Sequence, residues 1–459
     1  MGRDVRAILA HGGGHDAAGL PGTLGAMDRS LRSVLVGTFT LRFSTGLTGA
    51  MLATYLAHFK EFHPEVGAVS AVLVGVLAAS FYLAELVLSP IFGILSDRLG
   101  HHRVMVWGPM FGAVAVVLTA ITGNLLVLGG TRLLEGGSTA ASVPSILGYI
   151  AIATAGNEAL RGRAASRFEA ATLAGIGAGF IVAPKLFEAL GTNAFLLNAG
   201  FYGVSLAIYY FGVQDPAGER ESVEREHTSV RRYIELISHS HVWLLAPTWI
   251  AVNGAIGLWF SQSLFQFQQP DSPFRDTQWL LQGFSANQVT IGAIGIAIVF
   301  GVGIFWWGNR FDRWRRTTII LYGIYGGVAL AAAGLVINHA AFGAGSNLLL
   351  GAVVLGSVLV FGAGLFVLAG ATPAAVGLLA DVSEQFPGDR GAIMGLYSVF
   401  LGVGQIGGAL LGGVLAQVIG MDGLLVGTGA VLGLALIPLA RLRKVEHYLG
   451  GPGDPAVLE

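Results

Sequence analysis

Long apolar segments alternate with short polar segments along almost the entire chain. Twelve of these segments contain about 20 mostly apolar residues, the length that an α-helix needs to cross a bilayer. The predicted spans are 34–57, 67–92, 104–122, 125–153, 167–190, 193–213, 242–264, 287–307, 317–338, 347–371, 391–417 and 422–440. The pattern therefore predicts an all-α membrane protein with twelve transmembrane helices.

The polar segments divide the chain into five parts. The first six spans form a predicted N-terminal six-helix bundle at 31–213, and the last six form a C-terminal six-helix bundle at 242–445. The segment 214–241 between them is charged and partly amphipathic, so we expect a cytoplasmic linker on the membrane surface. The polar, Gly-rich residues 1–30 predict a disordered cytoplasmic tail without a signal peptide, and residues 446–459 predict a second tail.

The overall composition agrees with a membrane protein. Hydrophobic residues make up 54% of the chain and charged residues only 12%, whereas soluble domains carry about 25% charged residues. The net charge of -1 gives no indication of a nucleic-acid partner, and the absence of cysteine excludes disulfides and thiol chemistry. The sequence HGGGHD, His11 to Asp16, could bind a metal, but a disordered tail is the favoured interpretation. No metal or other cofactor is predicted.

The distribution of lysine and arginine predicts the orientation in the membrane. If the N-terminus is cytoplasmic, only Lys60 and Arg275 lie in outer loops, and Arg42, Arg132 and Lys185 lie within spans. The remaining 21 of the 26 basic residues are then at the inner side. Because basic residues are enriched in cytoplasmic loops, both termini are predicted to be cytoplasmic.

A charged motif occurs twice, each time between two predicted spans. The first copy is GILSDRLGHHR, Gly93 to Arg103, and the second is GNRFDRWRR, Gly308 to Arg316. Three residues recur 215 positions later: Gly93 as Gly308, Asp97 as Asp312, and Arg98 as Arg313. Glycines in and after the fifth span recur 229 positions later: Gly175 as Gly404, Gly179 as Gly408, and Gly191 as Gly420. The chain is therefore predicted to consist of two similar six-helix halves in parallel orientation.

These motifs give the chain a family resemblance. The pattern G-x-x-x-D-R-x-G after the second span resembles the signature loop of the major facilitator superfamily; here it comprises Gly93, Asp97, Arg98, Gly100 and the following Arg103. His101 and His102 stand where arginine or lysine is usual. The segment Arg132 to Gly136 resembles the second motif of the family, R-x-x-x-G. The segment LRFSTGL around Arg42 and the segment ATPAAVGLLADVSEQFPGDRG after the tenth span are similar to the twelve-helix drug:proton antiporter branch and related exporters.

One segment departs from the antiporter pattern. Members of that branch usually have G-P followed by G-G in the fifth helix. In this chain Phe180 follows Gly179, and Pro184 and Lys185 come later. The departure places a lysine where a small residue is usual in that branch.

The resemblance implies a gating role for the repeated charged loops. In the superfamily, the carboxylate corresponding to Asp97 faces the start of the eleventh helix, whose free N–H groups favour negative charge. Asp312 is expected to have the corresponding role near the fifth helix. The gating set is Asp97, Arg98, Arg103, Asp312 and Arg313. The alternative interpretation is a pair of ordinary positively charged inner loops.

Ionisable residues within the predicted spans are candidates for function, because a charge in the bilayer is costly. All lie in the first half: Arg42, Glu85, Arg132, Glu135, Glu169 and Lys185. Arg42 and Glu85 lie at a similar depth, roughly 10–12 Å from the inner boundary at 1.5 Å per residue. They can therefore meet, either as a proton-coupling pair or as a permanent structural ion pair.

Two further groups of the first half have alternative interpretations. Glu135 lies three residues from Arg132 on one helix face and is a second candidate for proton binding. Lys185 is a candidate for binding an anionic substrate group or Glu135; alternatively its side chain extends to the outer interface. Glu169 is predicted to be an interfacial charge.

The second half has no comparable charge within its spans. Its predicted pocket residues are polar or aromatic: Trp249, Asn253, Trp259, Gln262, Tyr397 and Gln405. The segment WFSQSLFQFQQP, Trp259 to Pro270, predicts either a substrate-facing wall or an aromatic belt at the membrane interface. With the first half, the predicted substrate-binding set is Arg42, Glu85, Arg132, Glu135, Lys185, Asn253, Trp259, Gln262, Tyr397 and Gln405.

The resemblance implies a secondary active transporter that works by alternating access. The favoured interpretation is proton-coupled export of a small amphipathic or drug-like molecule by a monomer in the cell inner membrane. The alternatives are proton-coupled uptake, facilitated transport, and flipping of a lipid or glycolipid. No P-loop, HExxH or G-x-S-x-G motif occurs, so neither direct use of ATP nor an enzyme is predicted. The membrane charges argue against a non-transporting sensor.

Overall fold

The computed structural model describes residues 21–154, 158–214, 242–310, 314–384 and 390–445. Within these ranges the chain is almost entirely α-helical and contains no β-strand. The motif at His11 to Asp16 and the predicted linker at 214–241 lie outside the described residues, except for Gln214 at the linker's start.

Twelve long helices follow one another along the described part of the chain. They are α1 (Pro21–Ala57), α2 (Ala71–Leu99), α3 (His101–Ile121), α4 (Leu125–Ala153), α5 (Glu158–Leu190), α6 (Asn193–Gly212), α7 (Val242–Gln268), α8 (Ala286–Gly308), α9 (Arg316–Ala340), α10 (Leu348–Leu368), α11 (Arg390–Ile419) and α12 (Met421–Val445). Shorter helices are Phe59–Phe62, Trp279–Leu281, Ala341–Gly343 and Ala371–Glu384.

Each predicted span coincides with one long helix, so the predicted fold class is confirmed. The largest differences are at helix ends. Helix α1 already begins at Pro21, before the predicted start of the N-terminal bundle at residue 31. After α10 the helical conformation is interrupted at Ala369 and Gly370, and the shorter helix Ala371–Glu384 follows. Pro373 explains the break, because its missing N–H would leave the carbonyl of residue 369 without a helical partner.

Nine of the described helices are long and apolar enough to cross a membrane, by length and composition. Helices α1, α4 and α7 are long enough but are not among the nine. These three carry many of the buried polar side chains, including Arg42, Glu135 and Asn253. Their polarity is compatible with spanning the bilayer because these side chains face other helices rather than lipid.

The helices pack as two halves with the same topology. In the first half α1 packs against α5 and α6, α2 against α4, and α3 against α4 and α6. Adding six to each number gives the pairs found in the second half: α7 with α11 and α12, α8 with α10, and α9 with α10 and α12. Between the halves, α2 packs against α11 and α5 against α8. This is the parallel repeat predicted from the sequence.

Close glycine contacts explain why the repeat is visible in the sequence. A Cβ atom on Gly175 of α5 would lie 2.9 Å from Cβ of Arg42, and one on Gly404 of α11 would lie 2.7 Å from Cβ of Asn253. Both distances are too short for a side chain, so only glycine permits these helix pairs to approach so closely. Arg42 and Asn253 therefore occupy equivalent positions in the two halves.

Candidate functional site

The two halves are joined at one end of the bundle. We call this end, where α1 ends and α2 begins, the outer end, following the predicted orientation. Nζ of Lys60 lies 3.2 Å from Oδ2 of Asp271 in an exposed ion pair between the halves. Nearby, Nε2 of Gln268 donates to Oγ1 of Thr54 over 3.1 Å. The structure therefore represents a state in which the outer end is closed.

Two glutamines of the second half bind the first residue of α2. The backbone N–H of Ala71 donates to Oε1 of Gln417 over 2.9 Å. Nε2 of Gln262 donates to the carbonyl oxygen of Ala71 over 3.0 Å. Gln262, predicted to bind substrate, thus forms part of the contact between the halves in this state.

A buried ion pair lies on α4 in the first half. Nη1 of Arg132 donates to Oε2 of Glu135, as the spacing of three residues predicts. Glu135 is only 2% exposed. The guanidinium of Arg132 lies 4.9 Å from the ring centre of Phe81, in a cation–π contact. Among the described residues, Oε1 of Glu135 has no hydrogen-bond donor. The second carboxylate oxygen is therefore available to a ligand or a proton.

Arg42 and Glu85 do not form the ion pair that was predicted from their depth. Arg42 is buried and Glu85 is half-buried. The depth estimate ignored α5, against which Arg42 packs at Gly175. Among the described residues, Glu85 has no ion-pair partner.

Two tyrosines near these groups in the chain or in the helix bundle were not singled out from the sequence: Tyr82 on α2, and Tyr202 on α6, which is buried. Tyr82 precedes Glu85 by three residues, so the two share a face of α2. The three-residue spacing between Tyr82 and Glu85 could have identified Tyr82 from the sequence.

Lys185 pairs with a residue of its own helix, Glu188, and not with Glu135. Its Nζ is 2.6 Å from Oε2 of Glu188, and the two side chains are 39% and 53% exposed. The structure thus agrees with the interpretation in which Lys185 extends to the outer interface, and it does not bring Lys185 to Glu135. Glu169 is exposed.

The second half contributes neutral polar groups. The side chain of Asn253 is buried and donates to the carbonyl of Trp249 over 2.9 Å. Nε1 of Trp259 donates to Oγ1 of Thr428 over 2.8 Å. Gln405 is buried, and its Oε1 has no donor among the described residues. The polar groups described here differ between the halves: charged in the first, uncharged in the second.

The signature loop joins α2 to α3 through one residue. Gly100 has φ of +99°, a conformation that L side chains rarely adopt, which explains the glycine of the motif. Asp97 is 67% exposed, with Oδ1 3.7 Å from Nε2 of the buried His101. Arg98 and Arg103 are exposed.

Part of the predicted gating and substrate-binding sets falls outside the described residues. Asp312 and Arg313 lie outside the described residues, and so does the side chain of Tyr397. The contact of Asp97 with the start of α11 stays a prediction, because the side chains of residues 390–397 are likewise outside the described part.

Two repeated six-helix halves, closed against each other at one end and carrying buried ionisable groups between their helices, have the architecture of a membrane transporter. The family model described as "Major Facilitator Superfamily" matches residues 34–381. The chain therefore belongs to this superfamily, whose members transport small molecules across membranes.

Relatives and solved structures agree with this assignment. "Multidrug resistance protein 1" of Bacillus subtilis (strain 168) is 26% identical over 356 residues, which cover 76% of this chain and 82% of the relative. "Quinolone resistance protein NorA" of Staphylococcus aureus is 27% identical over 125 residues, covering 27% of this chain and 30% of the relative. The crystal structure of the nucleoside transporter NupG superposes with a TM-score of 0.63 at 12% identity, covering 90% of this chain and 98% of NupG. That similarity establishes the fold.

Proposed function

We propose that the protein exports a small amphipathic or drug-like molecule from the cytoplasm in exchange for protons. The observation that carries the proposal is the asymmetry of the two halves: Arg42, Glu85, Arg132 and Glu135 on one side, and Asn253, Trp259 and Gln405 on the other. Charged side chains in one half and neutral or aromatic side chains in the other would suit a molecule with a polar and an apolar part. The names of the relatives, which include multidrug resistance proteins, support export.

Glu85 is the proposed proton carrier. Glu135 already has an ion-pair partner in Arg132, whereas Glu85 has none among the described residues. A carboxyl group at membrane depth without a partner is favoured in its neutral, protonated form, because an isolated charge is costly there. Arg42 on α1 is proposed to stabilise the ionised form. A small movement of α1 relative to α2 and α5 would then change proton affinity at Glu85.

Arg132 and Glu135 are proposed to form the polar part of the substrate site. The Phe81 ring holds the guanidinium of Arg132, and Oε1 of Glu135 is an acceptor without a donor in the described part. A substrate with an N–H or O–H donor would satisfy this oxygen. We further propose that a monomer in the inner membrane is sufficient and that both termini are cytoplasmic.

The test uses purified protein in liposomes that contain a pH-sensitive dye. A panel of lipophilic cations, sugars and lysolipids is added, and proton movement is recorded for each. The proposal predicts that an imposed gradient of a drug-like amphiphile causes protons to move across the membrane in the direction opposite to the amphiphile. Substrate transport without proton movement would contradict the coupling and favour a facilitator.

Two further outcomes would contradict other parts of the proposal. Proton movement only with sugars would contradict the substrate class. Binding of lysolipids without proton movement would favour a lipid flippase. Export by exchange and proton-coupled uptake are distinguished in the same liposomes, because exchange moves substrate and protons in opposite directions, whereas proton-coupled uptake moves them in the same direction.

A further inference from the structure

The outer contact at Ala71 has an unusual composition for a seal between two membrane domains. Both members from the second half are neutral glutamines, and both bind backbone atoms of the same residue. Ala71 is the first residue of α2, so its N–H has no partner within the helix. Oε1 of Gln417 satisfies this N–H at the positive end of the helix dipole.

The donor and acceptor roles in this contact are unambiguous. A backbone N–H only donates and a carbonyl oxygen only accepts, so Gln417 must present its oxygen and Gln262 its nitrogen. The exchange of amide oxygen and nitrogen that often complicates glutamine is therefore excluded here. The two glutamines are not interchangeable: one acts as an acceptor and the other as a donor.

Two features of the surrounding packing bear on this contact: α11 approaches Ala71 closely, and one amide oxygen of the contact has no donor. A Cβ atom on Gly413 would lie 2.9 Å from the carbonyl oxygen of Ala71, so glycine is required for α11 to approach α2. Oε1 of Gln262 has no hydrogen-bond donor among the described residues. A buried acceptor without a donor raises the free energy of the closed state, which lowers the cost of opening.

We propose that Gln262 and Gln417 form the outer gate of the transporter, a pair of amides that hold the start of α2 and must release it before the outer end opens. Gln262 is therefore a positioning residue for the conformational change rather than a substrate ligand. The inference concerns only the movement of the halves, so it can hold or fail independently of the proposed substrate and of proton coupling.

The test measures the distance between the halves at the outer end. The chain contains no cysteine, so Glu61→Cys and Asp276→Cys provide two unique, exposed positions for spin labels, one in each half. Pulsed electron paramagnetic resonance on the purified full-length protein then gives the populations of closed and open outer ends. No transport activity is needed for this measurement.

Four variants separate the gate from a general structural role. Gln417→Met leaves the N–H of Ala71 without its acceptor and should raise the ratio of open to closed molecules roughly two- to tenfold. Gln262→Met removes one hydrogen bond but also removes the acceptor Oε1 that has no donor, so it should raise that ratio by a smaller factor. Gln417→Glu keeps the acceptor and adds a negative charge at the helix N-terminus, so the outer end should remain closed. Gln278 is the matched control, because its amide binds the backbone of Met421 and Ile419 within the second half.

The expected result is that both methionine variants at the gate open the outer end, whereas Gln417→Glu and Gln278→Met keep the distances of the parent protein. Unchanged distances in Gln262→Met and Gln417→Met would overturn the proposal. Equal opening in Gln278→Met would also overturn it, because loss of any structural amide would then produce the effect.

Discussion

The close contact between α7 and α11 makes a quantitative prediction for Gly404→Ala. The new Cβ atom would lie 2.6 Å from the carbonyl oxygen of Ile250 and 2.7 Å from Cβ of Asn253. Ordinary contacts of this type begin at 3.4 Å, so the two helices must separate by about 0.8 Å or distort locally. Overpacking of this kind typically costs about 1–3 kcal/mol.

A second glycine of α11 provides the control for this substitution. Gly407 has no atom within 4 Å of the position of a Cβ. Alanine also favours a helix over glycine by about 1 kcal/mol, and this gain is common to Gly404→Ala and Gly407→Ala. The difference between the two variants therefore isolates the steric term, which we expect to destabilise Gly404→Ala by about 1–3 kcal/mol relative to Gly407→Ala.

The assay is thermal unfolding of the purified variants in one detergent, followed by intrinsic fluorescence. Gly404→Ala should unfold at a lower temperature than Gly407→Ala. The equivalent pair in the first half, Gly175→Ala and Gly177→Ala, should behave in the same way, because Gly175 is close to α1 and Gly177 has open space beside it. Equal unfolding temperatures within both pairs would refute the close packing and the structural repeat derived from it.

Three further predictions concern the charged groups. Glu135→Leu alone should destabilise the protein by about 3–5 kcal/mol, because it leaves Arg132 buried without a partner. The double variant Arg132→Leu and Glu135→Leu should recover most of this loss, as measured by thermal unfolding. If the double variant recovers none of it, the pairing of Arg132 with Glu135 is contradicted. Lys185→Ala should change stability by less than about 1 kcal/mol and leave transport intact, since the pair with Glu188 is exposed; selective loss of anionic substrates would place Lys185 in the substrate site. Asp97→Asn should slow transport in liposomes without lowering the unfolding temperature, and normal transport would exclude a gating role.

The architecture could be predicted well from the sequence because the bilayer imposes simple rules on a membrane-spanning chain. A span must be about 20 apolar residues long, and close helix contacts must be made by small residues. The first rule located every long helix, and the second made the repeat of Gly175 as Gly404 visible. The short helix Ala371–Glu384 was missed because the tenth predicted span ended at residue 371 and the segment after it was not interpreted as helical.

The arrangement of the site was less predictable. Counting residues along a helix gives the depth of Arg42 and Glu85 but not the lateral direction of either side chain, so the packing of Arg42 against α5 at Gly175 was missed. An amide in an apolar span can face a pocket or bind another helix, and local pattern does not distinguish the two. The position of Gln262 at Ala71 depends on contacts between segments that are far apart in the chain.

The most direct test of the account is to measure proton release when a substrate binds to the purified protein in weakly buffered detergent solution. The parent protein should release protons on binding. Glu85→Gln should bind the substrate without release, and Glu188→Gln, which changes an exposed carboxyl of α5, should behave like the parent. Unchanged proton release in Glu85→Gln would contradict the central claim that Glu85 carries the coupled proton.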